Sequence, residues 1–163
     1  MGSGKSTIGP LLADAVGADF VDLDQVITEA AGTSVSEIFA REGEEGWRRR
    51  ERAALLKTDA NRRIVLSCGG GVVLGRENRA FLKNYYVTVY LLTSPGTLER
   101  RLHGRTGRPL LDVDDERVLR RIYDERLPVY EKAAQITVAT DEKTPESLVR
   151  EILMRIEDES DDG

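Results

Sequence analysis

The chain has 163 residues, 40% of them hydrophobic and 33% charged, the size and balance of one soluble globular domain with a single core. Its formal charge of -5 lacks the basic footprint of a nucleic-acid binder, and no stretch approaches the roughly 18 apolar residues of a membrane span. The lone cysteine excludes an internal disulfide and fits a reducing, cytoplasmic setting.

Taken in chain order, a helix is expected from about Lys5 to Val16, with Ile8, Leu11, Leu12 and Ala15 on one face and Gly17 as its stop. Phe20 to Asp22 reads as a short strand, after which Asp24 can cap a helix ending near Gly32. Ser34 and Glu37 have capping-box spacing for the next helix, Gly43 breaks that run, and a charged helix follows from about Glu44 to Lys57. Ile64 to Ser67 is an apolar strand running into Gly69, Gly70 and Gly71. A helix from Arg76 to Asn84, a strand from Val87 to Leu92 and a helix opened by Pro95 and ending near His103 follow. Residues 104–115 read as a loop that can move as a lid. A long helix is expected from Glu116 to Ala133, kinked or interrupted at Pro128, then a strand from Gln135 to Ala139 and a last helix opened by Pro145.

Glu157, Asp158, Glu159, Asp161 and Asp162 by themselves carry a charge equal to the whole net of -5, so the rest of the chain is close to neutral. This pattern predicts a folded domain over 1–156 and a solvated, disordered tail over 157–163. Strands alternating with helices predict an α/β fold, a mainly parallel sheet with helices on both faces.

Gly2-Ser3-Gly4-Lys5-Ser6-Thr7 is the latter part of G-x-x-x-x-G-K-[ST]. Glycines let backbone N–H groups turn inward around phosphates, and the following helix adds its positive end. Lys5 reaches the β- and γ-phosphates of ATP in such a loop, and the Ser6 hydroxyl ligates Mg²⁺. The motif's first glycine and the strand that leads into it would lie before Met1, so the expectation is that the chain as given starts late.

Three further constellations stand at the ends of predicted strands and on a helix. Asp22 and Asp24 sit where the first strand turns, so both carboxylates can converge; a helix cap is the plainer use of Asp24. In Trp47-Arg48-Arg49-Arg50 neighbouring side chains fan out by about 100° each, so they cannot share one pocket. Glu44 and Glu45 precede Arg48 and Arg49 by four residues, the spacing of ordinary surface ion pairs, which suffices for Arg49 and Arg50. Trp47 and Cys68 read as core residues and His103 as a surface residue. The triplet Gly69-Gly70-Gly71 lies at the carboxyl end of a strand, where ligands sit in parallel sheets, although a plain loop has the same composition.

In this order, Gly2 to Thr7, Asp22-x-Asp24, Ile38-Phe39 with Gly43-Glu44 and Trp47-Arg48, Gly69 to Gly71, Arg108-Pro109-Leu110-Leu111 and Arg126-x-Pro128-x-Tyr130 resemble the motifs of shikimate kinases, over essentially the whole chain except the acidic end. The resemblance implies a P-loop fold with a five-stranded parallel sheet of order 2-3-1-4-5, the first and central strand of which is missing here. It implies ATP and Mg²⁺ as cofactors, with Asp22 on the metal through water. Asp24 would bind the hydroxyls of shikimate and accept the proton of the attacking 3-hydroxyl. Arg48 and Arg126, with the backbone around Gly69, Gly70 and Gly71, would hold the substrate's carboxylate and ring, since a guanidinium pairs bidentately with a carboxylate. Arg108 would come from the lid to the γ-phosphate, and Arg101 resembles the arginine that stacks on adenine. Lys5, Asp24 and Arg108 are thus the expected catalytic residues of a cytoplasmic monomer that converts shikimate and ATP to shikimate 3-phosphate and ADP. Rival readings are another small-metabolite P-loop kinase, such as a gluconate kinase, and an inactive nucleotide-binding module.

Overall fold

The computed structural model describes residues 2–59, 61–102 and 116–161. Local signals set most of its helix ends. Helix α1 (Lys5–Val16) stops at Gly17, whose left-handed φ of 61° turns its N–H back to the carbonyls of Ala13 and Asp14. Strand β1 (Asp19–Asp22) leads directly into α2 (Leu23–Ala31), and Gly32 closes α2 in the same way. Helix α3 (Val35–Leu56) opens on the expected capping box, with the Ser34 hydroxyl accepting from the Glu37 amide and the Glu37 carboxylate accepting from the Ser34 amide. Gly43, at φ 67° and ψ -173°, breaks the helical path inside α3, as its position in the sequence predicted.

Strand β2 (Ile64–Ser67) is followed by a 3₁₀ turn (Val72–Leu74) that periodicity did not predict, then by α4 (Arg76–Tyr85), β3 (Val89–Leu92), α5 (Pro95–Leu102), α6 (Glu116–Ala133), β4 (Ile136–Ala139) and α7 (Pro145–Asp161). Three expectations need correction. Asp22, not Asp24, caps α2: its Oδ1 accepts from the amides of Asp24 and Gln25 at 3.0 and 3.3 Å, and Asp24 falls in the first turn. Pro128 does not interrupt α6, which is assigned as one helix over 18 residues; a single missing N–H is outweighed by the packing of Val129, Tyr130 and Ala133 on the core. The expected disordered tail is helical as far as Asp161, because α7 propagates from turns anchored by buried Leu148, Val149 and Ile152.

The strands form two parallel pairs, β1 with β2 and β3 with β4. They correspond to positions 2-3 and 4-5 of the expected order, and no strand among the described residues occupies position 1. Helix α1 packs on both pairs. Its Gly9 lies so close to β1 that a methyl group there would stand 2.3 Å from the Phe20 ring, while Ile8 joins the cluster of Leu91, Ile136, Val138, Leu148, Val149 and Ile152. A second cluster joins α2, α3, the 3₁₀ turn and α4 through Leu23, Ile27, Ile38, Trp47, Leu55, Val72, Val73 and Leu82. In register, Asp22 lies beside Ser67, so the chain leaves β1 and β2 at one edge, bringing the two aspartates next to the glycine triplet.

Candidate active site

One cleft of about 670 Å³ runs along that edge. Gly2, Ser3, Gly4, Lys5, Ser6 and Thr7 line one part of it, with Arg101, Lys143, Pro145 and Leu148 also on its wall. Gly2 and Gly4 have φ of 74° and 98°, a region that other residues enter only with strain. No side chain caps the start of α1 and its first turn holds no acidic residue. Those amides, together with the helix's positive end, are oriented as an anion cradle. Lys5 stands in the same first turn.

Asp22, Asp24, Trp47, Arg48, Glu51, Arg126, Tyr130 and the three glycines line the same cleft. Each glycine makes room for a different partner. A methyl group on Gly69 would lie 2.9 Å from Asp24 Oδ1 and 3.0 Å from Glu51 Oε1; on Gly70, 2.9 Å from the Tyr130 hydroxyl; on Gly71, 1.9 Å from Arg48 Nη1. The triplet therefore lets backbone approach two carboxylates, a phenol and a guanidinium at van der Waals distance, which no larger residue permits.

Arg48 is bound from two sides. Its Nη1 donates to Glu51 Oε2 at 2.8 Å, and its Nη2 donates to Glu44 Oε1 at 3.1 Å. Burial works against the Arg48 cation, but the Glu51 and Glu44 carboxylates outweigh it and raise its pKa. Glu51 is wholly buried; burial pushes its pKa up and the Asp24 carboxylate pushes the same way, against the pull of Arg48 and Arg126. Its Oε1 has no hydrogen-bond partner among the described residues. Burial also drives the Cys68 thiol up to about 12, so this residue on the cleft wall stays protonated and inert.

This arrangement is similar to that of known proteins. A family model described as shikimate kinase matches residues 1–157. The chain belongs to the shikimate kinase family. A shikimate kinase of Vibrio parahaemolyticus is 44% identical to it over 97% of this chain and 92% of the relative. The structure of "Shikimate kinase from Acinetobacter baumannii in complex with shikimate" superposes with a TM-score of 0.93 at 36% identity, covering 98% of this chain and 89% of that one. The shikimate kinase of Aquifex aeolicus gives 0.86 at 32% identity, over 98% and 94% of the two chains. The protein is thus an ATP-dependent kinase by family.

Within that family frame, the structure brings Gly2, Ser3, Gly4, Lys5, Ser6, Thr7, Asp22, Asp24, Arg48, Gly69, Gly70, Gly71, Arg101 and Arg126 into one cleft. Arg108, with the rest of the expected lid at 104–115, and His103 lie outside the described residues. Arg49 makes the expected surface ion pair with Glu45, and Arg50 also pairs at the surface, with Glu42 eight residues back. Trp47 is 4% exposed and stacks at 5.5 Å on Phe39, so its bulk is core although it also borders the cleft. Arg101 donates to the Gly2 carbonyl at 3.2 Å.

The sequence alone placed neither Glu51 nor Lys143 at the site; it named Tyr130 only within the Arg126-x-Pro128-x-Tyr130 motif and Pro145 only as a helix opener. Glu51 was legible in principle, since it lies three residues after Arg48, one turn along the helix. The hard oxygen donors of Ser6 and Asp22, few in number, suit Mg²⁺, which keeps waters and takes phosphate oxygens as further ligands. Among the described residues, no group of three or more His, Cys, Asp or Glu side chains is placed to hold a metal ion.

Proposed function

We propose that this protein transfers the γ-phosphate of ATP to the 3-hydroxyl of shikimate. The observation that carries this reading is the single cleft in which an uncapped helix start with two left-handed glycines is joined to a cluster of Asp24, Arg48 and Arg126 around a glycine triplet. The first is fitted to a polyphosphate and the second to a small acid with hydroxyl groups.

Phosphoryl transfer asks mainly for alignment and charge stabilisation. Lys5 and the first-turn amides of α1 hold the phosphates. Ser6 and Asp22, both on the cleft wall, would hold Mg²⁺, which would supply positive charge to the phosphoryl oxygens. Arg48 and Arg126 clamp the substrate carboxylate, and Asp24 accepts the proton as the hydroxyl oxygen attacks. Arg101, with Pro145 on the same wall, receives the adenine ring. The sequence assigns Arg108 to the γ-phosphate and residues 104–115 to closing the site against water. The reading includes a cytoplasmic monomer that binds no nucleic acid; no described helix is long and apolar enough to cross a membrane.

The test is an ADP-release assay with Mg²⁺ and ATP, comparing shikimate, gluconate and no acceptor. Turnover with shikimate alone is expected. Turnover with gluconate would replace the acceptor and keep the kinase. ATP binding without turnover on either acceptor would mark a nucleotide-binding module.

A further inference from the structure

We infer that Tyr130 is a positioning residue: its hydroxyl locks the peptide between Gly70 and Gly71 so that the Gly71 N–H faces the bound acid. This rests on the proposed shikimate site.

The Tyr130 hydroxyl donates to the Gly70 carbonyl at 2.9 Å, across 60 residues of sequence. A peptide unit is planar and trans, so the direction of the Gly70 carbonyl dictates that of the Gly71 N–H, which points the opposite way. That N–H donates to no acceptor among the described residues, whereas the neighbouring Val72 amide is used by the Gly69 carbonyl at 3.1 Å. Gly71 lies on the cleft wall, close against the Arg48 guanidinium. An available backbone donor beside a cation is suited to a carboxylate or hydroxyl oxygen.

A lock is needed here because of the glycines. A peptide flips by turning ψ of one residue and φ of the next, and glycine on both sides removes the Cβ clashes that usually prevent it. Gly71 sits at φ -91° and ψ -12°, and a flip of the preceding peptide would carry its φ to the positive side, which glycine populates as readily, so its own backbone does not choose between the two orientations. The choice falls to Tyr130. Its ring is held in turn against the Tyr90 ring at 5.2 Å, and it borders the cleft four residues after Arg126, on the same face of α6. One helix therefore supplies a substrate-clamping arginine and the phenol that sets the opposing backbone donor.

The first test is Tyr130→Phe, which keeps the ring against Tyr90 and removes only the hydroxyl. The expected result is a shikimate KM raised about 3- to 10-fold, the worth of one neutral hydrogen bond, with kcat and the ATP KM within about twofold. The Gly71 amide should also gain microsecond-to-millisecond exchange in ¹⁵N relaxation that the wild-type protein lacks. An unchanged shikimate KM overturns the inference. So does a parallel fall of kcat, both affinities and Tm, since that is the mark of a merely structural contact. The wild-type protein gives a check that needs no variant: on titration with shikimate, the Gly71 amide resonance must move. If the wild type binds and turns over shikimate while that resonance stays still, the lock has no bearing on substrate. If instead the wild type ignores shikimate, the acceptor assignment fails, and the Gly71 relaxation in Tyr130→Phe still decides whether the hydroxyl locks the peptide.

Discussion

Arg48 and Glu51, one turn apart on α3, meet at 2.8 Å, with the carboxylate wholly buried and the guanidinium on the cleft wall. Three residues of helix thereby fix the direction of the cleft-wall arginine that we propose holds the substrate. A buried carboxylate has a high desolvation cost, so its place here is better explained by what it orients than by what it stabilises. Glu51→Gln should raise the shikimate KM about 10- to 100-fold, the range of a hydrogen bond between charged groups, and leave the ATP KM near its original value. Steady-state kinetics with each substrate varied in turn check this. A matched loss in both KM values would show that Glu51 supports the whole fold and not Arg48 alone.

The same residue sets a pH dependence. Burial raises the folded-state pKa of Glu51 above its ordinary 4.5, so the folded protein binds this proton more tightly than the unfolded chain does. Its contribution to stability is then fully present below pH 4.5 and is lost as the pH rises through the higher folded value. Glu51→Gln has no such proton to lose. Its Tm should gain on the wild type as the pH is raised from 4.5 towards neutrality, and parallel Tm curves would count against the shift.

Glu37 behaves in the opposite sense. The Thr33 hydroxyl, then the Ser34 amide and hydroxyl, hold its pKa down at about 2 from 4.5. Its share of stability is present above pH 4.5 and is lost as the pH falls through about 2. A carboxyl titration by NMR should find its midpoint near the lower value, and Glu37→Gln should lose stability at neutral pH while converging on the wild type in acid.

Gly9 provides a test of packing. Glycine to alanine inside a helix ordinarily gains about 1 kcal/mol from backbone entropy and helix propensity. Here the new methyl group would stand 2.3 Å from the Phe20 ring, so overpacking should win and cost about 1–3 kcal/mol. Urea denaturation of Gly9→Ala would read the difference, and a stabilised variant would show that the ring can move aside.

Gly71→Ala should damage substrate binding more than stability. Its methyl group would meet Arg48 Nη1 at 1.9 Å, and the guanidinium can yield only by leaving Glu51. A shikimate KM raised at least 10-fold is expected, at a Tm within a few degrees of the wild type. Calorimetric titration with shikimate and a thermal melt, taken together, check it.

Helix ends were legible from residue types alone, because a cap is a local hydrogen bond. Ser34 with Glu37, and the left-handed Gly17 and Gly32, close helices at the places their order along the chain predicts. The glycine-rich turn proposed to cradle phosphate was legible for the same reason, since its glycines, lysine and helix start are consecutive. The choice of Asp22 over Asp24 as the α2 cap was not, for both are good caps and the end of β1 decides between them.

What lay beyond local sequence was every contact between distant segments. Nothing in the order of residues says that Gly69 faces Asp24 and Glu51, Gly70 faces Tyr130 and Gly71 faces Arg48. Those pairings exist because β1 and β2 end side by side, and because α3 and α6 close over that edge. Periodicity records which face of an element is apolar; it carries no information on which residue of another element comes to stand opposite a glycine, and only the packed chain decides that.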